Sequence, residues 1–219
     1  MHNKSSQMPS ASNASRLAVP VRELHAGHRE AILEHFLQLE DEDRRLRFGT
    51  QTPNEVIEHY VGSLDFNKDA IFAVFDEDLK IIGLAHLAYL PKQEKQHRAA
   101  EFGVSVLESA RHQGVGSALL ERAAVHSRNT LVETLYVHCL ANNASMMRLA
   151  QKAGMRVEFA YGDADAYLKL EPATPATLVK EAANKQWGDF DYALKSNLKN
   201  SSAAWCWFLG RKTQHSNLV

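Results

Sequence analysis

Cysteine is scarce in this chain: two residues, Cys139 and Cys206, among 219. They have neither the spacing of a metal site nor the density of a disulfide-held secreted domain, so the sequence reads as a metal-free protein of a reducing cytoplasm. Net charge is equally lacking. With 25 Lys and Arg against 26 Asp and Glu, the formal charge is -1 and the pI about 6.8, which removes any global pull towards nucleic acid or an anionic membrane. No run approaches the roughly 20 apolar residues of a membrane-spanning helix. The first 17 residues are rich in Ser, Asn and Ala and lack the apolar segment of a secretory signal, so residues 1–17 read as a flexible arm. The whole chain is 45% hydrophobic and 23% charged, the composition of one globular catalytic domain with a substantial core.

Hydrophobic periodicity divides that domain. Alternation over 19–24 predicts a first strand with Pro20 at an edge. Ile32, Leu33, Phe36, Leu37 and Leu39 recur at helical spacing over 28–39. A second helix is expected after Thr52, with Pro53 in the first turn and Glu55 in capping-box register. Between them, Asp41 to Gly49 reads as a charged connector with two apolar anchors or as a wall of an acceptor site. Strands follow at 70–75, 80–90 and 99–107, the last two separated by a polar loop over 91–97. A helix over 114–128 buries Val115, Ala118, Leu119, Ala123 and Val125, with Glu121 and Arg122 outward. Next come a strand over 131–139, a helix entered at Asn142-Asn143 and closed by Gly154, and a hairpin of 156–161 and 166–170 turning through 162–165. Residues 172–219 form a helical tail broken at Gly188. Its apolar Trp205 to Leu209 is expected to dock on the domain or on a second subunit, as in a homodimer.

The segment richest in chemistry joins the strand ending at Leu107 to the next helix through Arg111-His112-Gln113-Gly114-Val115-Gly116. Unpaired N–H groups and the positive end of a helix dipole there form a cradle for an anion, and Arg111 adds a charge-assisted contact. A triphosphate loop needs Lys-Ser/Thr after its glycine, where Ser117-Ala118 stands. A dinucleotide fingerprint needs a small residue at position 119, which is Leu119.

The pattern that is filled is Gln/Arg-x-x-Gly-x-Gly/Ala, by Arg111, Gly114 and Gly116. Glu101 to Val106 precede it, and Asn143-x-x-Met146-x-x-Leu149-Ala150-x-x-x-Gly154 follows. Over residues 19 to 170 the chain resembles the GNAT superfamily of N-acetyltransferases. In Asp43 to Phe48 and Asn143 to Ala150 it is similar to the acetyltransferase domain of bacterial protein-lysine acetyltransferases. The resemblance implies an α/β GNAT fold, with a mixed, mostly antiparallel sheet of about seven strands flanked by helices, over residues 18–171, followed by the tail 172–219.

It also implies direct attack of a primary amine, of a protein lysine or a small molecule, on acetyl-CoA in a ternary complex. The pyrophosphate would lie on Arg111, His112, Gln113, Gly114, Val115, Gly116 and Ser117. The strand backbone at Val104 and Val106 would hold the pantetheine, with Val106 donating to the thioester oxygen. Asn143 would contact the pantetheine or cap its helix. A lysine-like amine is neutral in only about 0.04% of molecules at pH 7, so a base is needed. Glu101 stands where many family members carry it; the other reading is a carboxylate ion-paired with Arg98 or Arg22. His86, His97 and His138 are further candidates. Ala150 stands where many members carry a tyrosine acid, which leaves water, Tyr161 or Tyr167 to protonate the thiolate. The alternative function is a CoA-binding sensor or assembly module that has lost turnover.

Overall fold

The computed structural model describes residues 18–91 and 98–213, with side chains as far as Ser201. The expected flexible arm, the loop 92–97 with His97, and the docking of Trp205 to Leu209 lie outside the described residues and side chains.

The chain enters on β1 (Arg22–Glu23), shorter than the expected strand, its ladder limited to Arg22↔Ala73 and Glu23↔Phe72. Three helices, not two, lead from it to the sheet: α1 (Arg29–Leu37), α2 (Asp41–Phe48) and α3 (Asn54–Ser63). The extra helix is the charged segment. It buries no residue, and its stability comes from charge order: Asp41, Glu42 and Asp43 in the first turn, Arg45 and Arg47 in the last, matching the helix dipole. Gly49 ends it in the left-handed conformation at φ 81°, its N–H bonding Arg45 O at 2.8 Å. Arg44 ties it down by donating to the carbonyls of Leu37 and Leu39 and to Asn54 Oδ1. The expected Thr52–Glu55 capping box is not made. Pro53 takes the cap position without a side-chain bond, and Thr52 Oγ1 turns back to Thr50 O.

The sheet comprises β1, β2 (Ala70–Phe75), β3 (Ile81–Tyr89), β4 (Ala99–Val106), β5 (Thr134–Leu140), β6 (Arg156–Ala160) and β7 (Asp163–Lys169), in the order β1-β2-β3-β4-β5-β7-β6. Only β4 and β5 are parallel, joined by α4 (Val115–Asn129). The closing hairpin turns through Tyr161 and Gly162, at φ 52° and 96°, with Ala160 opposite Asp163. Residues 163–165, expected in the turn, are therefore strand. Two left-handed residues are what a two-residue hairpin loop requires.

Alternation along the strands builds two cores. Leu87, Ala100, Phe102, Leu135, Val137 and Ala166 face α4 and α5 (Ala144–Lys152). Ile71, Ala73, Phe75 and Leu84 face α1 and α3 through Ile32, Phe36, Ile57 and Val61. Among the described residues, the second face is covered only over β1 to β4. On β5, β7 and β6 it consists of Tyr136, His138, Asp165, Tyr167, Arg156 and Glu158, none of them buried.

The tail is one helix, α6 (Pro175–Thr213), uninterrupted at Gly188. A Cβ on Gly188 would stand 2.5 Å from Val21 O, so the glycine is the point of closest approach to the sheet edge rather than a break. Arg122, expected outward, is 2% exposed. Its guanidinium reaches Glu181 Oε1 on α6 at 2.9 Å and Glu23 on β1 at 3.3 Å, above the ring of Phe72. His126 and Asn129 also bond Glu181, each at 2.5 Å. Lys195, buried, donates to Phe75 O and pairs with Asp191. The outer surface of α6 keeps Trp187, Phe190, Leu194 and Leu198 exposed. No described helix is long and apolar enough to cross a membrane.

Burial would raise the Glu181 pKa, but bonds from Asn129, His126 and Arg122 outweigh it and hold the carboxyl at about 2. A depressed carboxylate contributes stability above its unfolded value of 4.5, which is lost as pH falls towards 2. Glu181→Gln, which removes the nearer of the two carboxylates from buried Arg122, is expected to cost roughly 2 kcal/mol at pH 7 in urea unfolding. The gap from wild type should narrow below pH 4.5.

Candidate active site

β4 and β5 pair at only three positions, Ala99↔Thr134, Ala100↔Leu135 and Glu101↔Tyr136, and then part. Beyond Glu101, the backbone groups of residues 102–106 that face β5 have no strand to bond. A backbone left open in this way must be met by water or a ligand. A cavity of about 420 Å³ lies along this opened edge, lined by Val104, Ser105 and Val106, by Leu46 of α2, and by the start of α4.

The turn into α4 is built for an anion. His112 and Gly114 are both left-handed, at φ 62° and 87°. For a residue with a Cβ this costs about 1–2 kcal/mol, which the surrounding structure must hold in place. Gly114 caps α4 with no side-chain bond, and the first intrahelical bond runs from Ala118 N to Gly114 O, leaving the N–H groups of Val115, Gly116 and Ser117 at the cavity. Arg111, Arg148 and Lys152 surround this end with positive charge, with His112 among them, while Leu39, Leu46, Val104, Val106, Met146 and Leu149 make the rest apolar. Arg111 is already engaged: its guanidinium pairs with Asp43 of α2. Asp43, Leu46 and Arg47 all line the cavity, so the charged segment is both a helix and a wall.

Of the residues expected to hold a cofactor, Val104, Val106, Arg111, His112, Gly114, Val115, Gly116, Ser117 and Asn143 line this cavity. Gln113 is not among the lining residues; its side-chain amide turns back to Ser109 O at 2.9 Å. Asn143 caps α5, its Oδ1 accepting from Met146 N at 3.0 Å, and its Nδ2 reaches Leu46 O at 3.4 Å. Ala150 is fully buried in the α4-side core. Tyr161 is exposed at the hairpin tip, and Tyr167 stacks obliquely against Tyr136 on the open face.

Glu101 was expected on a partly buried position; it is exposed, because the open half of the sheet begins beside it. Among the described residues it makes no ion pair, and Arg22 is engaged at the far edge with Asp189 at 3.0 Å. On the same face, His86 sits opposite Gly103 with both ring nitrogens used: Nδ1 bonds the Tyr60 hydroxyl at 2.7 Å and Nε2 bonds Asp69 at 3.1 Å. Burial pushes its pKa down. Arg47 donates to Tyr60 and packs against Gly103, where a Cβ would come within 2.6 Å of Nη2.

Two side chains at the cavity edge were missed from sequence. Ser105 bonds His35 Nε2 at 2.8 Å, and His35 Nδ1 lies 2.8 Å from Ile81 O. A carbonyl only accepts, so Nδ1 carries the proton and Nε2 accepts from the serine hydroxyl. Burial holds His35 at about 4. Position 35 lies within the first expected helix, but its partners are 46 and 70 residues away, beyond the reach of any local pattern.

A fold with one opened parallel strand pair and an anion turn between them is that of an acyl-CoA-dependent transferase. The family model described as Acetyltransferase (GNAT) family matches residues 33–155, and the chain belongs to that family as an acyl-CoA-dependent N-acetyltransferase. Solved structures share the fold. The GNAT domain of S. lividans PAT has 21% identity and a TM-score of 0.59, covering 68% of this chain and 89% of that one. An N-acetyltransferase from Staphylococcus aureus Mu50 has 21% identity and a TM-score of 0.54, covering 69% and 98%. A GNAT superfamily phosphinothricin acetyltransferase from Sinorhizobium meliloti, in complex with AcCoA, has 16% identity and a TM-score of 0.56, covering 73% and 95%. Among curated proteins none matches.

His35 must stay neutral in the fold. Between pH 6.5 and 4 the unfolded chain therefore binds a proton that the folded chain refuses. Unfolding free energy is expected to fall with pH through that interval, and His35→Gln should flatten the slope there in urea titrations.

Proposed function

We propose that this enzyme transfers acetyl from acetyl-CoA to a primary amine, with the side chain of a protein lysine as the acceptor. One observation carries the reading: the β4 edge, opened beyond Glu101, leads from an anion-binding helix start to an uncovered, acidic sheet face. The chemistry of the lining matches CoA in order, with cationic groups and free N–H donors at one end and an apolar channel beside unpaired strand backbone at the other. The solved AcCoA complex of the phosphinothricin enzyme shares this fold and supports the choice of donor.

In this reading Arg111, His112, Gly114, Val115, Gly116 and Ser117 hold the pyrophosphate, with Gln113 supporting the turn from outside. Val104 and Val106 bond the pantetheine through their backbones, and Val106 N–H stabilises the oxygen that gains charge as the amine attacks. Asn143 holds α5 against α2 at the channel. Glu101 takes a proton from the incoming ammonium, and the neutral nitrogen attacks the thioester carbonyl. The open face beside it admits a side chain standing out from a protein surface. Glu101 and Asp165 give the part of that face beside the strand gap a charge suited to a cation, Glu158 being paired with Arg156. The sequence likeness to protein-lysine acetyltransferase domains and the shared fold of the S. lividans PAT domain agree with a lysine.

Glu101→Gln is expected to lower kcat for thiol release about 100-fold while acetyl-CoA affinity stays within two-fold. Assays with lysine peptides and small amines decide the acceptor class, and acetyl-CoA binding without thiol release from any amine would favour a sensor. Arg111→Ala should weaken CoA binding roughly ten-fold by calorimetry, with a shallower salt dependence.

A further inference from the structure

Acylation of an ammonium group moves two protons off one nitrogen. The first leaves before attack, so that the nitrogen has a lone pair. The second leaves after attack, when the nitrogen bonded to the acyl carbon is positively charged, and an equivalent proton must reach the departing thiolate. Glu101 accounts for the first. The second needs a group that both accepts and donates near neutral pH, and position 150, a fully buried alanine in the other core, does not supply one.

Among the described residues, the open sheet face carries an arrangement with that capacity. His138 lies on β5 two residues beyond Tyr136, the last residue of β5 paired with β4, and so stands where the strands begin to part, on the face that also carries Glu101. Its Nδ1 is 2.7 Å from Asp165 Oδ1 on β7, directly opposite in the ladder, and the hydroxyl of Tyr136 donates to the same oxygen at 2.7 Å. An ionised carboxylate only accepts, so the ring proton sits on Nδ1 and the neutral imidazole presents the lone pair of Nε2. No described residue bonds that nitrogen, and half of the side-chain surface is exposed. Two other histidines, His86 on β3 and His35 of the α1 that covers this face, differ. His86 and His35 have both ring nitrogens engaged, the first with Tyr60 and Asp69, the second with Ile81 and Ser105.

We propose that His138, oriented by Asp165, is the second proton-handling residue of acyl transfer, working across the strand gap from Glu101. The inference rests on the cleft reading above. After the amine nitrogen has formed its bond to the acyl carbon, Nε2 takes the remaining excess proton from that nitrogen. As the carbon–sulfur bond breaks, the imidazolium returns the proton to the thiolate. One proton thus goes to solvent through Glu101 and one to sulfur through His138, and the products are the amide and free CoA thiol. His138 ends neutral and ready for the next turnover.

The charged and titratable groups around His138 set its working range. They are Asp165 and Asp163 on β7, Glu101 on β4, Tyr136 on its own strand, and Glu158, opposite Asp165 on β6 and paired with Arg156. The bond to Asp165 raises the imidazole above its ordinary value of 6.5, with the charges of Asp165, Asp163 and Glu101 adding to it. A base must be neutral to act, so the acid limb of kcat lies above pH 6.5.

His138→Gln, Asp165→Asn and Glu101→Gln are to be compared with the full chain. Thiol release is measured with the fastest acceptor among lysine peptides, α-amino acids and polyamines. His138→Gln should lower kcat about 100-fold with acetyl-CoA affinity and thermal midpoint unchanged. Asp165→Asn should move the acid limb to lower pH, which a purely structural hydrogen bond would not do. A kcat for His138→Gln within two-fold of wild type, or an unmoved limb in Asp165→Asn, overturns the proposal. If Glu101→Gln keeps full activity while His138→Gln loses it, Glu101 leaves the mechanism and the dyad stands. Independently of any acceptor, the imidazole NMR signal that is missing from His138→Gln must shift when acetyl-CoA is added to wild type; an unshifted signal also sinks the assignment.

Discussion

The decisive constraint in this structure is a ladder that stops. Parallel strands bond evenly along their length, yet β4 and β5 share only the three positions from Ala99 to Glu101. Everything that can act on a ligand is arranged around that interruption. The α4 N-terminus, its left-handed turn and Asn143 border the opened edge, and Glu101 marks the last bonded pair. The cost of leaving strand backbone unpaired is tolerable only if another set of polar groups meets it. A pantetheine arm, with two amides at peptide-like spacing, is chemically a substitute strand.

The two faces of the sheet divide the work. The α4 side is apolar through β7, with Leu135, Val137, Ala164 and Ala166 under α4 and α5, and gives the turn a rigid base. The opposite face is sealed by α1 and α3 as far as β4 and then left open. His35 and His86 lie in the sealed part, each fully bonded and held neutral by burial, whereas His138 lies in the open part with a carboxylate behind it. His35, His86 and His138 therefore have different chemistry because of where the helical cover ends.

Much of this was legible in sequence, and for a physical reason. Strand alternation, the glycine turn after Leu107 and the Asn143 cap are signals local to a few residues, and the order of elements from β2 to β7 follows from them. Features determined by distant partners were not legible. Arg122 looks like a solvated helix residue because its counter-charge, Glu181, lies 59 residues on. Gly188 looks like a helix breaker because the backbone it must clear, at Val21, belongs to the other end of the chain. The helix α2 was readable by another rule: acids first, bases last and a glycine beyond them, a dipole pattern in a segment with no apolar stripe. In the site, the turn and Glu101 stand out by motif. The pairing of Asp43 with Arg111 and of Asp165 with His138 required the fold.

The docking of α6 has a consequence for how the chain holds itself together. Glu181 is the principal counter-charge of a buried arginine, and Gly188 and Lys195 seat the same helix on the backbone at Val21 and Phe75, where β1 begins and β2 ends. In effect the helix is a tethered ligand, bound at the high effective concentration that a short linker through Pro172 provides. Without it, the Arg122 guanidinium would lose its nearer carboxylate and the backbone at Val21 its cover.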